Sequence, residues 1–196
     1  MDEYLKIAVF LALLIIFIIW VFCIIAKKKK EWQQIACEIA SSFGCQEGVK
    51  HDTWTQEQML YEWEMKGCKI TVSGGAQTVK AGNTYTMLTK GSVIATYRRP
   101  LPFPVSIQQG RNKITGDSEF DRACAVHTDQ PDMIRNFLSD PSLREAIRKL
   151  VKSMTRNVKI THEAITVQFF EIKEFKEKAM DAIDLAERIS ISAERL

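Results

Sequence analysis

The fold of this chain is decided by residues 7–43, which read IAVFLALLIIFIIWVFCIIAKKKKEWQQIACEIASSF. The first twenty of them, from Ile7 to Ala26, carry no charge. As a helix they span about 30 Å, the thickness of the hydrocarbon core of a bilayer. Buried helices of soluble proteins seldom lack a polar face over so many turns, and a cleaved signal peptide begins with basic residues and has a shorter apolar run. The stretch therefore predicts an uncleaved transmembrane anchor.

Four lysines directly follow the apolar run, whereas the N-terminal flank has only Lys6 beside two acidic residues. Because the more basic flank stays on the cytoplasmic side, the N-terminus is expected outside and the C-terminal domain in the cytoplasm. The predicted location is the cell membrane, with membrane lipid as one partner. Five residues are expected to contact the membrane surface: Lys27, Lys28, Lys29, Lys30 and Trp32.

The charge of the remaining chain argues against a nucleic-acid partner. The whole sequence has 27 Lys and Arg against 24 Asp and Glu. The first thirty residues hold five of the basic and two of the acidic residues, so the remainder is formally neutral. Five scattered cysteines fit a reducing compartment. Two disulfides among the four that follow the apolar run remain an alternative.

The first half of the domain is predicted to begin with a helix and to continue with strands. Apolar residues at helical spacing predict a helix over 32–43 that continues from the apolar run. Residues 44–56 are predicted to be a connection, and 73–83 a loop. Prolines in residues 100–107 favour an edge strand or a rigid extended segment. Two hairpins are predicted, 61–72 turning at Lys66-Gly67 and 84–97 turning at Lys90-Gly91.

The second half is predicted to mix helices with one further hairpin. We expect a capped turn or short helix at 115–121, a strand at 123–128, helices at 131–138, 140–153 and 172–189, and a hairpin at 157–170 turning at His162-Glu163. The predicted class is α+β: one N-terminal transmembrane helix, then a compact domain of antiparallel hairpins with three or four packed helices. The predicted divisions are an anchor at 1–30, a juxtamembrane helix and connection at 31–56, and a soluble domain at 57–196.

Residues 115–150 carry Gly116-Asp117, then Phe120-Asp121, a strand and a helix with leucines. This order resembles an uncharacterised prokaryotic family of membrane-associated domains that carry a GD-x-x-FD segment. The resemblance implies a small intact domain behind a membrane anchor. The family has no known activity, so the resemblance implies no site residues.

The same segment contains a cluster of three acidic residues, which is a candidate local functional segment: Asp117, Glu119 and Asp121. A calcium loop would need further oxygen ligands at set spacings and a closing glutamate, and these are absent. A structural interpretation makes Asp117 a helix cap and pairs Asp121 with Arg122 or with a backbone amide. Both interpretations remain open from the sequence.

A run of basic residues follows on the next helix and beyond it. The candidate face for an anionic partner comprises Arg144, Arg148, Lys149, Lys152 and Arg156. Three of them share one side of the helix, at i, i+4 and i+8. Either this face is simply solvated, or it contacts anionic headgroups or an acidic protein surface. Arg98 and Arg99 would extend it if they fold nearby.

The sequence contains no motif that assigns a catalytic, cofactor-binding or metal-binding residue. It lacks the short cysteine spacing of a structural zinc site, a G-x-S-x-G elbow and a P-loop. The leading hypothesis is a non-enzymatic, membrane-anchored cytosolic domain that binds protein, as an accessory or regulatory subunit of a larger membrane complex with an integral-membrane partner. A second is a tethered sensor that binds anionic lipid or a small ligand through residues 144–159. The third is a membrane-bound hydrolase or metal enzyme built on the acidic segment and His127.

Overall fold

A computed structural model describes residues 2–45, 47–53, 56–65, 67–81, 84–111, 113–152 and 156–193. In this part of the chain the predicted α+β class is confirmed: a long N-terminal apolar helix precedes an eight-stranded antiparallel sheet and four further helices. The helices are α1 (Asp2–Ser42), α2 (Ser118–Ala123), α3 (Pro131–Phe137), α4 (Pro141–Val151) and α5 (Ile172–Ala193). The strands are β1 (Gly48–Thr53), β2 (Gln56–Met65), β3 (Cys68–Ala81), β4 (Thr84–Tyr97), β5 (Ser106–Gln109), β6 (Cys124–His127), β7 (Arg156–Thr161) and β8 (Ala164–Phe169).

The sheet has the order β1-β2-β3-β4-β8-β7-β5-β6, and every pairing is antiparallel. Alternate residues of its central strands, such as Val72, Val93 and Val167, are fully buried against α1, α4 and α5. The intervening residues lie on the opposite face, which we call the open face. Two layers result, with one hydrophobic core between the sheet and the helices.

Helix α1 runs without a break from the apolar segment into this core. Its apolar part is the one helix of the described chain that is long and apolar enough to cross a membrane, and none of that part is buried. Further along, Trp32 and Ala36 are buried, and the Trp32 ring lies 5.2 Å from that of Phe175 on α5. The predicted helix over 32–43 is confirmed. The expectation that Trp32 contacts the membrane surface is wrong, because only 2% of it is exposed.

The buried part of α1 lies along β2 and in the same direction. At one end Lys29 contacts Glu57 at 2.6 Å, and at the other end Phe43 stacks on Trp63. The fourteen residues of helix between these contacts span about 21 Å, and the six residues of strand about 20 Å. The strands therefore stand roughly along the axis of α1. We call the end of the domain toward the apolar segment the anchor end, and the opposite end the far end.

The predicted loop at 73–83 and the predicted turn at Lys90-Gly91 are both wrong. β3 and β4 run through these positions and are joined through residues 82–83, which lie outside the described residues. The glycines serve close packing: a Cβ on Gly74 would overlap the carbonyl oxygen of Trp32, and a Cβ on Gly91 would lie 2.6 Å from the Phe175 ring. Glycine inside a strand marks such a close approach as well as a turn.

Most other predicted elements are confirmed. The helices after residue 115 and the hairpin at 157–170 are present, and Met65 pairs with Cys68 in the hairpin whose turn residue Lys66 lies outside the described residues. The predicted connection at 44–56 contains β1 instead. The prolines precede β5, which is not an edge strand because it lies between β7 and β6. The predicted soluble domain begins at residue 57, but residues of α1 before that boundary belong to the same hydrophobic core.

Candidate functional site at the junction of α2 and α4

The acidic segment and the basic helix pair with each other. The Arg144 Nε donates to Asp117 Oδ2 at 3.1 Å, and the guanidinium of Arg148 lies 3.0 Å from the Glu119 carboxylate. Arg148 also contacts Glu145 at 2.7 Å. The side chains of the two arginines are only 19% and 25% exposed. Two of the predicted cationic groups are therefore largely neutralised by the predicted acidic ones.

Asp117 is the N-cap of α2, which confirms the structural interpretation of this residue. Its Oδ1 accepts the backbone N–H of Glu119 at 3.0 Å and of Phe120 at 3.1 Å. The Phe120 amide first, and the Arg144 guanidinium second, hold the pKa of Asp117 below its ordinary value. A carboxylate is favoured here because it accepts the otherwise unpaired donors of the first helical turn.

Asp121 is buried and pairs with backbone amides. Of the two pairings that the structural interpretation offered, Arg122 or a backbone amide, the second is confirmed. Its carboxylate accepts the hydroxyl of Thr115 at 2.9 Å and the N–H groups of Thr115 and Gly116 at 3.2 and 3.1 Å. Gly116 has φ +77°, a conformation that favours glycine. This carboxylate closes the loop before α2 and is fully engaged within the protein.

The described residues contain no group of three His, Cys, Asp or Glu side chains arranged to hold a metal ion. His127 is exposed at the end of β6, whereas α2 leads into the beginning of that strand at Cys124. Three residues of strand separate the two positions by about 10 Å. The hydrolase hypothesis requires His127 to lie beside the acidic segment, and the structure does not bring them together.

Arg144 and Lys149 have further contacts that fix the helices. Arg144 donates to the carbonyl oxygens of Leu138 at 2.6 Å and Ser139 at 3.1 Å, which ties the link between α3 and α4 to α2. Lys149 lies 3.5 Å from Glu145. The side chain of Arg156 lies outside the described residues. Among the members of the predicted basic face whose side chains the structure describes, only Lys152 is exposed and forms no ion pair.

The uncompensated charge lies instead in a cleft between the end of β5, α2 and the end of α4, which we call the cationic cleft. Its volume is about 530 Å³, and four cationic side chains and one carboxylate line it. Its lining residues are Gln109, Gly110, Arg111, Glu119, Arg122, Ala123, Arg148 and Lys152. Across the described part of the chain, no acidic side chain forms an ion pair with Arg111, Arg122 or Lys152, and all three are exposed. A neighbouring cleft of about 580 Å³ is also lined by Arg111 and Arg122, and in addition by Lys113.

Arg98 and Arg99 do not extend this surface. The N–H of Arg98 donates to Gly67 at 2.7 Å, beside the turn that joins β7 and β8 at the far end. Lys152 leads into the opposite end of β7. About six residues of strand, or roughly 20 Å, separate the two ends.

The cysteines form no disulfide: all five are free thiols. Burial raises the pKa of the Cys124 thiol to about 12 and also raises that of Cys68. Such thiols remain protonated and unreactive near neutral pH.

Three comparisons bear on identity. The chain matches no family model, no curated protein and no solved structure. The resemblance of residues 115–150 to a GD-x-x-FD family therefore stays a prediction, and the function proposed below is based on the geometry of this chain.

Proposed function

We propose that this protein is a single-pass, membrane-anchored, non-enzymatic domain that binds a protein partner through the open face of its sheet. In this proposal it is an accessory or regulatory subunit of a larger membrane complex, with the domain in the cytoplasm. The observation that supports the proposal is an uncharged patch at the centre of the open face. We call it the central patch.

The central patch follows from the register of β3, β4 and β8. Three residues form one row across these strands, Thr71, Ile94 and Thr166, and a parallel row follows two residues further on. None of the side chains is charged, and Ile94 is 37% exposed. The complete patch comprises Thr71, Ser73, Ser92, Ile94, Thr96, Ala164, Thr166 and Gln168.

Charged residues occupy the rim of this patch. Across the sheet, Glu62 and Lys159 flank the first row, and Lys69 lies opposite Thr96. Since 26% of the chain is charged, a merely solvated face would carry charges at its centre too. Depletion of charge at the centre with a charged rim is one part of the compositional signal of a protein interface. The eight strands have 4 to 14 residues. With a mean length of roughly 26 Å and a spacing of about 4.8 Å, the whole sheet face covers about 1,000 Å², somewhat more than the ~800 Å² that each partner contributes to a stable interface.

The direction of α1 indicates which kind of partner fits. Because the strands stand along the axis of α1, the open face of a domain anchored by that helix lies roughly parallel to the membrane normal. It faces sideways, toward the cytoplasmic part of a neighbouring membrane protein, and not into the bilayer. The absence of any break in α1 keeps this face near the membrane, where the effective concentration of such a partner is high.

The test is mild detergent extraction from the native membrane with an affinity tag at the C-terminus, followed by mass spectrometry. Ile94→Lys places a charge in the central patch, and Ile191→Lys, at a 43% exposed position on α5, is the matched control. We expect a stoichiometric membrane-protein partner with the unchanged chain and with the control, and its loss with Ile94→Lys. Recovery of no partner, or equal retention by both variants, would contradict the proposal.

A further inference from the structure

The helices place the cationic cleft at the anchor end of the domain. The first turn of α5 contacts α1 through Phe175 and Trp32. Helix α4 packs against α5. It ends five residues before Arg156, which pairs with Phe169, and α5 begins three residues after Phe169. α4 therefore ends where α5 begins.

The strands place the cleft at the same end. Gly91 of β4 lies under Phe175 and pairs with Phe169, the last residue of β8. β7 begins opposite Phe169, and β5 runs antiparallel to β7, so that β5 ends where β7 begins. Arg111 follows the end of β5 by two residues. The helices and the strands thus both carry the cleft to the end from which the apolar segment leaves.

The anchor end borders the headgroup layer if residues 7–26 span the bilayer. Trp32 lies six helical residues, about 9 Å, beyond Ala26, and the headgroup layer on each side is roughly 5–7 Å thick. The carboxylates of Glu57 and Glu119 at this end are held in ion pairs, and the stretch between Glu64 and Asp117, part of which lies here, has eight Lys and Arg and no Asp or Glu. That stretch includes Arg111 and both strands of the β3–β4 hairpin.

We propose that the cationic cleft binds the phosphate groups of anionic lipids in the membrane that anchors the chain. This inference rests on the anchoring in the proposed function but concerns a different surface from the central patch. Guanidinium groups match phosphate with two parallel hydrogen bonds, and lysine adds a point charge. Arg111, Arg122 and Lys152 provide these groups, and Arg148 contributes from a position held by Glu119 and Glu145. The ion pairs of Arg144 and Arg148 neutralise the rest of α4. Around α4, in the described part of the chain, the cationic groups without an acidic partner are therefore those that line the cleft.

The experiment uses the full chain in phosphatidylcholine nanodiscs with an increasing fraction of phosphatidylglycerol. The readout is hydrogen–deuterium exchange of the backbone amides at 109–111 and 118–123, which border the cleft. The test variant carries Arg111→Gln, Arg122→Gln and Lys152→Gln. The matched control removes three charges at the far end, with Lys69→Gln, Arg98→Gln and Arg99→Gln.

Protection of these amides should rise with the anionic fraction in the unchanged chain and in the far-end control. Each basic residue at a membrane surface changes affinity roughly fivefold, so the test variant should bind about 100-fold more weakly and show no protection even in fully anionic discs. Equal protection in the test variant and the control would overturn the inference. So would equal protection by millimolar glycerol 3-phosphate added to neutral discs, since the ligand would then be a soluble anion. Failure of the chain to insert into discs would instead contradict the membrane anchoring.

Discussion

Replacing Trp32 with alanine should uncouple the membrane helix from the domain core. Trp32 is 2% exposed, its ring lies 5.2 Å from that of Phe175, and its carbonyl group lies against Gly74. A tryptophan buries on the order of 200 Å², which is worth roughly 5 kcal/mol. Large aromatic-to-alanine changes in cores cost about 3–5 kcal/mol. We expect the free energy of unfolding of the domain to fall by about that amount.

The matched control is Trp20→Ala, because Trp20 lies on the same helix but is 59% exposed. The assay is urea unfolding in detergent micelles, followed by near-ultraviolet circular dichroism and by the reactivity of the buried Cys124 thiol. Trp20→Ala should leave the stability of the domain within about 0.5 kcal/mol of the unchanged chain. A loss below about 1 kcal/mol for Trp32→Ala, or equal losses for the two variants, would refute the claim that α1 is part of the core.

Three further predictions concern packing, pH and thiol reactivity. Gly74→Ala should lower the free energy of unfolding by about 1–3 kcal/mol, measured by thermal unfolding, because the new methyl group overlaps the carbonyl oxygen of Trp32. The pKa of Asp117 is lowered in the folded chain, so its stabilisation is complete above about pH 4 and is lost as pH falls through the folded pKa. Asp117→Asn should therefore make stability less dependent on pH in the acid range, measured by urea unfolding from about pH 5 to 2. Cys124, whose pKa burial raises to about 12, should react with maleimide far more slowly at pH 7 than the exposed Cys37, measured by mass spectrometry.

Each of these has a control and an outcome that opposes it. For the glycine, Thr96→Ala on the open face should cost little, and equal losses would show that the helix does not approach the strand closely. For the pH dependence, Asp129→Asn, at an exposed position, should leave the acid transition unchanged. An unaltered transition in Asp117→Asn would contradict the cap. For the thiols, urea should equalise the two rates, and equal rates without urea would mean that Cys124 is accessible.

The sequence predicted the elements whose signal is local. The stripe of apolar residues that includes Trp32 fixed the helix over 32–43, and Asp117 at the start of α2 follows the rule for helix caps. The strands β3 and β4 were misjudged because their glycines serve contacts with α1 and α5, which are distant in sequence. Glycine has the same appearance in a sequence whether a turn or a close approach requires it.

The candidate site shows the same limit. The acidic segment and the basic helix were both recognised, but their mutual pairing, 27 residues apart for Arg144 and Asp117, depends on tertiary packing. The cationic cleft combines single residues after β5, on α2 and after α4, so no local pattern marks Arg111 or Arg122. One signal was present: the absence of any acidic residue between Glu64 and Asp117. That signal indicates a surface without specifying which residues share it.

The orientation of the domain at the membrane underlies both the proposed partner surface and the proposed lipid site. Dyes at positions 163 and 170, on a cysteine-free background, test it by energy transfer to acceptors on lipid headgroups in nanodiscs. Both positions are exposed and flank β8, and the seven residues between them span about 23 Å. The dye at Phe170, at the anchor end, should lie about 20 Å closer to the headgroups than the dye at Glu163. Equal distances, or a dye at Glu163 that lies closer, would show that α1 does not hold the domain upright on the bilayer.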